Sequence, residues 1–171
     1  NYVYGAGYEV NSTNATVNLN GATVANIIGG ADSSGIVNKT NVNLLSGTVT
    51  NVYGGNYVRG YTLNSNVTVN GDVQVTGELY GGGYLSPIGN ASNTGSSTVN
   101  IIKGTLNVDV NAGSKNSVVY GTTNINIGRD TVDPSLEAGD IILNGYIYGS
   151  GSSNKSENRP TNTQNPEEID Y

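Results

Sequence analysis

The chain has 171 residues, 25 of them Gly, with no Cys, Met, Trp, Phe or His, and its 12% of charged residues leave a net charge of −6. Ordinary soluble domains carry about 25% charged residues; this chain leans on Asn, Gly, Thr and Val instead. Seven scattered cations argue against nucleic-acid binding, and the missing Cys and His exclude a disulfide framework, a thiolate metal site and the usual Ser or Cys triad.

Taken in chain order, the predicted elements are short strands. Val3-Tyr4-Gly5 introduces a motif of an aliphatic residue, usually Tyr, then Gly. It returns as Ile27-Ile28-Gly29, Val52-Tyr53-Gly54, Leu79-Tyr80-Gly81, Val119-Tyr120-Gly121 and Ile147-Tyr148-Gly149. The interval before Val119 is longer than the earlier ones, so that coil is expected to hold an insertion or an extra turn. Between these copies runs a second element with period-2 alternation: Thr16 to Leu19, Asn41 to Leu44, Asn66 to Val69, Thr98 to Ile101 and Asn124 to Ile127. Such alternation marks a half-buried strand. A turn glycine follows each copy (Gly21, Gly47, Gly71, Gly104, Gly128), and a third short strand comes next around Val24, Val49, Val73 to Val75 and Leu106 to Val108.

Three short strands per repeat of about 25 residues form one rung of a parallel β-helix. The fold expected is therefore all-β: a parallel β-solenoid of five to six rungs over residues 1–151, with an extended polar tail at 152–171. An antiparallel sandwich is the rival, but it gives no reason for the same columns to recur. Helix is disfavoured, because Gly, Asn, Thr and Val are poor helix formers. Stacking places Val17, Val42, Val67, Val99 and Ile125 in one inward column, and Leu19, Leu44, Val69, Ile101 and Ile127 in another. Asn18, Asn43, Thr68, Asn100 and Asn126 form an outward ladder. No run approaches the ~18 consecutive apolar residues of a membrane helix.

The segments Tyr53-Gly54-Gly55-Asn56-Tyr57 and Tyr80-Gly81-Gly82-Gly83-Tyr84 resemble the β-strand repeats of bacterial surface adhesins and autotransporter-type passenger domains. The resemblance covers about Tyr2 to Gly151 and rests on composition and period. It implies a right-handed β-helix on a cell surface or in an extracellular fibre, and it carries over no functional residues.

The chemical signals are sparse. Glu9, Asp32, Asp72, Glu78 and Asp109 fall at different rung positions and read as solvated surface charges, so no enzyme and no cofactor is expected. The carboxylate-rich segment from Arg129 to Asp140 matches no calcium-loop spacing and reads as a solvated loop. Asn-x-Ser/Thr sequons at Asn11, Asn14, Asn38, Asn66, Asn90 and Asn154 are sites for glycans if the source glycosylates secreted proteins. The Thr and Asn columns invite comparison with ice-binding faces, yet they mix both residues where those faces repeat Thr, so an aligning amide ladder is expected. Alternation points Tyr4, Tyr53, Tyr80, Tyr120 and Tyr148 outward, with Tyr8, Tyr57 and Tyr84 as a second column four residues on. These rings are expected to stack and to serve subunit contact.

The chain begins at Asn1 without a charged and apolar leader, which reads as a processed mature form or an excised fragment. Asn1 to Gly5 enters the repeat at once, and an uncapped rung is a sticky edge. The expectation is a structural subunit of an extracellular filament, a head-to-tail homopolymer. Its tail would dock on a neighbouring copy through Ile169 and Tyr171. The alternatives are a segment of a large surface adhesin that binds glycan or host ligands and, third, a polysaccharide-active β-helix enzyme.

Overall fold

The computed structural model describes residues 1–128 and 141–152. Its strands are β1 (Tyr2–Tyr4), β2 (Ser12–Leu19), β3 (Ala22–Ile28), β4 (Ile36–Tyr53), β5 (Tyr61–Tyr80), β6 (Gly95–Leu106), β7 (Val110–Asn111), β8 (Gly121–Ile127), β9 (Ile141–Leu143) and β10 (Ile147–Tyr148). Every pairing between them is parallel. Successive turns of the chain lie on one another, and the result is a β-solenoid of about five turns.

The inward columns expected from the alternation are present. Val17, Val42, Val67, Val99 and Ile125 are register partners in succession, as are Leu19, Leu44, Val69, Ile101 and Ile127. A third column, Val24, Val49, Val75, Leu106 and Leu143, lines another wall. The fourth is Val3, Ile27, Val52, Leu79, Val110 and Ile147. Together, with the exception of the exposed Ile127, they form one continuous aliphatic core along the axis. No rung could bury this surface alone, so the stack stabilises as a unit.

Two expectations need correction. Val119-Tyr120-Gly121 is not a copy of the Tyr-Gly motif. The fifth copy is Val110-Asn111-Ala112, which sits on Leu79 and Tyr80 and carries Ile147 and Tyr148. Val119 instead bridges to Ile88, and Gly121 opens β8 opposite Gly95. Packing selects Val110 because the wall needs an inward aliphatic followed by a small residue two places on, and Ala112 meets that need without Tyr or Gly. The strands are also longer than three short ones per rung: β4 and β5 run unbroken around the corners for 18 and 20 residues. Their register shifts fall between Leu44 and Ser46 and between Val49 and Asn51. Extra residues are thus taken up as bulges at corners, and the inward columns stay aligned.

The glycines of the motif allow a close approach between turns. Gly5, Gly29, Gly54 and Gly81 donate their N–H groups to Ile28, Tyr53, Tyr80 and Asn111 at 2.8–2.9 Å. A methyl group built on Gly54 would run into the carbonyl oxygen of Gly81 and press on Val67. Hydroxyls reach across the coil to this same wall. Thr40 donates to the Gly54 carbonyl at 2.5 Å, Ser97 to that of Ala112 and Thr123 to that of Gly149.

Beyond that wall each turn continues into a loop that also stacks. Its centre is Asn56, fully buried. The Asn56 Oδ1 accepts from the Ala31 N–H (2.9 Å) and the Thr62 hydroxyl (3.1 Å), while Nδ2 donates to the carbonyls of Gly35 (3.0 Å) and Arg59 (3.2 Å). All four hydrogen-bonding positions of the amide are filled.

Gly54→Ala should destabilise the fold by about 1–3 kcal/mol through overpacking, read as a lowered Tm by circular dichroism. Gly149→Ala, with open space around its Cα, should leave Tm unchanged. Asn56→Ala should cost about 1–3 kcal/mol for each buried group left unpaired, checked by the same melt.

Candidate functional site

Two surfaces of the solenoid concentrate its distinctive side chains. The first grows from the residue after the fourth inward column. Tyr4, Ile28, Tyr53 and Tyr80 are successive register partners, followed by Asn111 and Tyr148. They point away from the main core, as the alternation requires, but they are not a solvent-exposed stripe. Ile28, Tyr53 and Tyr80 are buried in a cluster of their own, against Tyr4, Tyr57 and Tyr84. The reason is the loop after each Gly pair, which turns back over the strand. Its backbone places Tyr8, Asp32, Tyr57, Tyr84 and Lys115 one above another.

The rings form a seam along the axis. Tyr53 stacks on Tyr80 at 5.9 Å between centroids and Tyr57 on Tyr84 at 4.8 Å, and Tyr53 meets Tyr84 edge-on at 5.2 Å. Tyr2 and Tyr4 extend the seam at its start, each meeting Tyr57 edge-on. Offset and edge-on pairs of this kind contribute about 0.5–1.5 kcal/mol each beyond area burial. Tyr8 stands outside the seam, 65% exposed, because Asp32 and not a ring lies above it. Tyr120 and Tyr148 are also outside it; Tyr148 pairs with Tyr146 at 6.3 Å, tilted.

Polar groups clamp the seam. The Tyr53 hydroxyl donates to Glu78 Oε2 at 2.5 Å. Lys115 Nζ donates to both Glu78 oxygens at 2.6 and 2.7 Å, and lies 5.1 Å from the centre of the Tyr84 ring. Glu78 is therefore not the solvated charge expected, since it takes the Tyr53 hydroxyl, and Asp32 lies beside the Tyr4 phenol. Burial, then Glu78 as acceptor and neighbour, pushes the Tyr53 phenol far above its usual range. Burial followed by Asp32 does the same to Tyr4. Tyr57 is pushed up to about 12, by burial first and then by its neighbours Tyr2 and Tyr84.

Past the end of the seam lies an open groove lined by Glu78, Tyr80, Asp109, Asn111, Tyr148 and Ser152. The Tyr80 hydroxyl bonds Ser152 Oγ at 2.9 Å, and Asp109 Oδ1 accepts the Tyr146 N–H at 2.8 Å. Among the described residues, no three carboxylates come together as a metal-binding group.

The second surface is the outer face of β2, β4, β5, β6 and β8. Three outward columns run along it: Asn14, Lys39, Asn64, Ser96, Thr122; then Thr16, Asn41, Asn66, Thr98, Asn124; then Asn18, Asn43, Thr68, Asn100, Asn126. The amide ladder expected in the third column forms at Asn43 to Asn18 (2.8 Å) and Asn126 to Asn100 (2.7 Å). At Thr68 it crosses over, and Asn100 donates to Asn66 of the neighbouring column at 2.8 Å.

The sequons divide by what their side chains already do. Asn11 Oδ1 accepts the Ile36 N–H at 2.8 Å, Asn66 is part of the ladder, and Asn90 Oδ1 holds a turn through the N–H groups of Ser92 and Asn93. Asn14 and Asn38 are exposed on strands, and the hydroxyl of the Asn38 sequon, Thr40, faces the coil interior. Asn154, Ile169, Tyr171 and the Arg129 to Asp140 loop lie outside the described residues.

No family model, curated protein or solved structure matches the chain at a significant level.

The raised phenols give an alkaline signature. A native phenol that holds its proton above the unfolded value of about 10 contributes stability that is whole below pH 10 and is lost as pH rises toward the native value. In a spectrophotometric titration, Tyr4, Tyr53 and Tyr57 should ionise only well above pH 10, together with loss of β circular dichroism. Tyr53→Phe should flatten the fall in stability above pH 10.

Proposed function

We propose that the chain is a non-catalytic structural subunit of an extracellular filament or surface fibre, joined rung on rung to further copies of itself. The observation that carries this reading is the equivalence of the rungs. Each turn presents the next with the same parallel backbone and the same inward aliphatic columns, so any turn fits on any other. At the last turn Ile127 is 51% exposed, whereas Leu19, Leu44, Val69 and Ile101 of its column are at most 3% exposed. A further rung laid there would cover it. A contact of this head-to-tail kind does not close and gives a fibre. The Glu78 carboxylate, tied to the Tyr53 hydroxyl and to Lys115, serves the same structural reading.

A second reading, a passenger segment of a surface adhesin, draws on the composition of the Tyr-Gly-Gly repeats and on the groove with its exposed Tyr148 and Tyr146 beside Asp109. Aromatic rings flanked by carboxylates and amides suit glycan or protein ligands.

Analytical ultracentrifugation and negative-stain microscopy of the full chain decide between them. The fibre reading expects concentration-dependent rods whose growth Ile127→Asp abolishes while the melting temperature moves little, because Ile127 is exposed already. A chain that stays monomeric at every concentration refutes it and leaves the adhesin reading. Truncation after Ser152 tests the role expected for residues 153–171: assembly is lost if the tail joins subunits and persists if the rungs alone suffice.

A further inference from the structure

We infer that the polar face of β4, β5 and β6 is a binding surface for an uncharged, extended β-1,4-linked polysaccharide, lying along the solenoid axis. This goes beyond the fibre reading and does not depend on it.

Charge is the first argument. The chain has seven cations and thirteen carboxylates, yet Lys39 is the single charged side chain in the three outward columns of this face. A surface with one charge among fifteen side chains offers little to an anionic or cationic partner. Amides and hydroxyls, which both donate and accept, match a neutral polyhydroxyl chain.

Residual hydrogen-bonding capacity is the second. An Asn amide in a ladder uses one donor and one acceptor on its neighbours. Its other N–H and remaining lone pair project from the face, already ordered by the bonds between Asn100 and Asn66 and between Asn126 and Asn100. Ser96 likewise donates to Asn64 at 2.9 Å and so holds that amide in place. Groups fixed before binding lose little conformational freedom on binding.

Geometry is the third. Two rungs span about 9.6 Å, close to the disaccharide repeat of an extended β-1,4 chain, whose successive sugars are turned by half a revolution. A polymer running along the axis therefore presents the same edge to the face at every second rung. A shallow trough is present for it between the first two columns, lined by Lys39, Asn64, Asn66, Ser96 and Thr98.

The test is co-sedimentation of the full chain with insoluble cellulose and chitin, with heparin-agarose as the anionic comparison. The variant is N64D/N66D. Each Asp keeps the oxygen that accepts from Ser96 or Asn100; the long donor bonds to the Asn38 carbonyl (3.5 Å) and to Thr68 Oγ1 (3.4 Å) are lost, and the donors are replaced by negative charge, so melting temperatures are measured alongside. Asn107→Asp is the control; it follows the end of β6, and its amide oxygen accepts from Asn144, just past β9 and away from this face. The proposal expects retention on cellulose or chitin, weakened about tenfold or more by N64D/N66D and unchanged by Asn107→Asp, with melting temperatures alike. No retention on either polymer overturns it. So does retention on heparin alone, or retention that N64D/N66D leaves intact and Tyr148→Ala removes. Thermal hysteresis in ice without polysaccharide retention also overturns it.

Discussion

The backbone hydrogen bonds between successive turns set the register on which everything else in this molecule depends. Rung-to-rung spacing is 25 residues in the first turns and 37 where residues 129–140 intervene, yet the inward partners stay in line because added residues leave at corners and loops. Once parallel strands are locked in register, identical side chains must stack. Val then covers Val, amide bonds amide, and ring meets ring. The close passage at Gly54 belongs to the same constraint, for the wall it forms is held at main-chain hydrogen-bonding distance and leaves no room for a Cβ. Thr40, Ser97 and Thr123 then tie the opposite wall to it.

How legible this was in the sequence follows from the range of each signal. The columns through Val42 and Leu44 were legible because alternation over four residues, repeated at one period, specifies both a strand and its inward side. The fate of the tyrosines was not. Alternation says that Tyr53 and Tyr80 point away from the core, but it does not say that a loop will return to cover them. Asp32 and Glu78 read as surface charges for the same reason, their partners Tyr4 and Tyr53 lying a whole turn away. Lys115 meets Glu78 across 37 residues, and only the register of the fifth turn reveals the pair. Tyr120 misled because a dipeptide can match a motif by chance, whereas the wall selects by size and finds Val110 and Ala112 instead. The uncharged polar face was legible as a ladder, and its breadth across three columns became apparent only with the strands side by side.

The two surfaces divide the work of the fold. On the seam, rings and a Glu–Lys pair pack against one another, so that side of the coil spends its chemistry on internal order. On the polar face, the ladders use part of the hydrogen-bonding capacity of Asn66, Asn100 and Asn126 and leave the rest free. One side of the solenoid is closed by its own loops, and the other remains available.

The unequal joining of the turns has a mechanical consequence. Tension applied along the axis pulls across the rungs, so all hydrogen bonds between two turns share the load at once. β4 is joined to β5 along nearly its whole length, whereas the last turn is held by β8 on β6 and by the short segments β9 and β10. Under an end-to-end pull the junction of β4 with β5, the most fully paired in the coil, is expected to hold longest, while the more sparsely paired turns on either side of it peel first and act as sacrificial links.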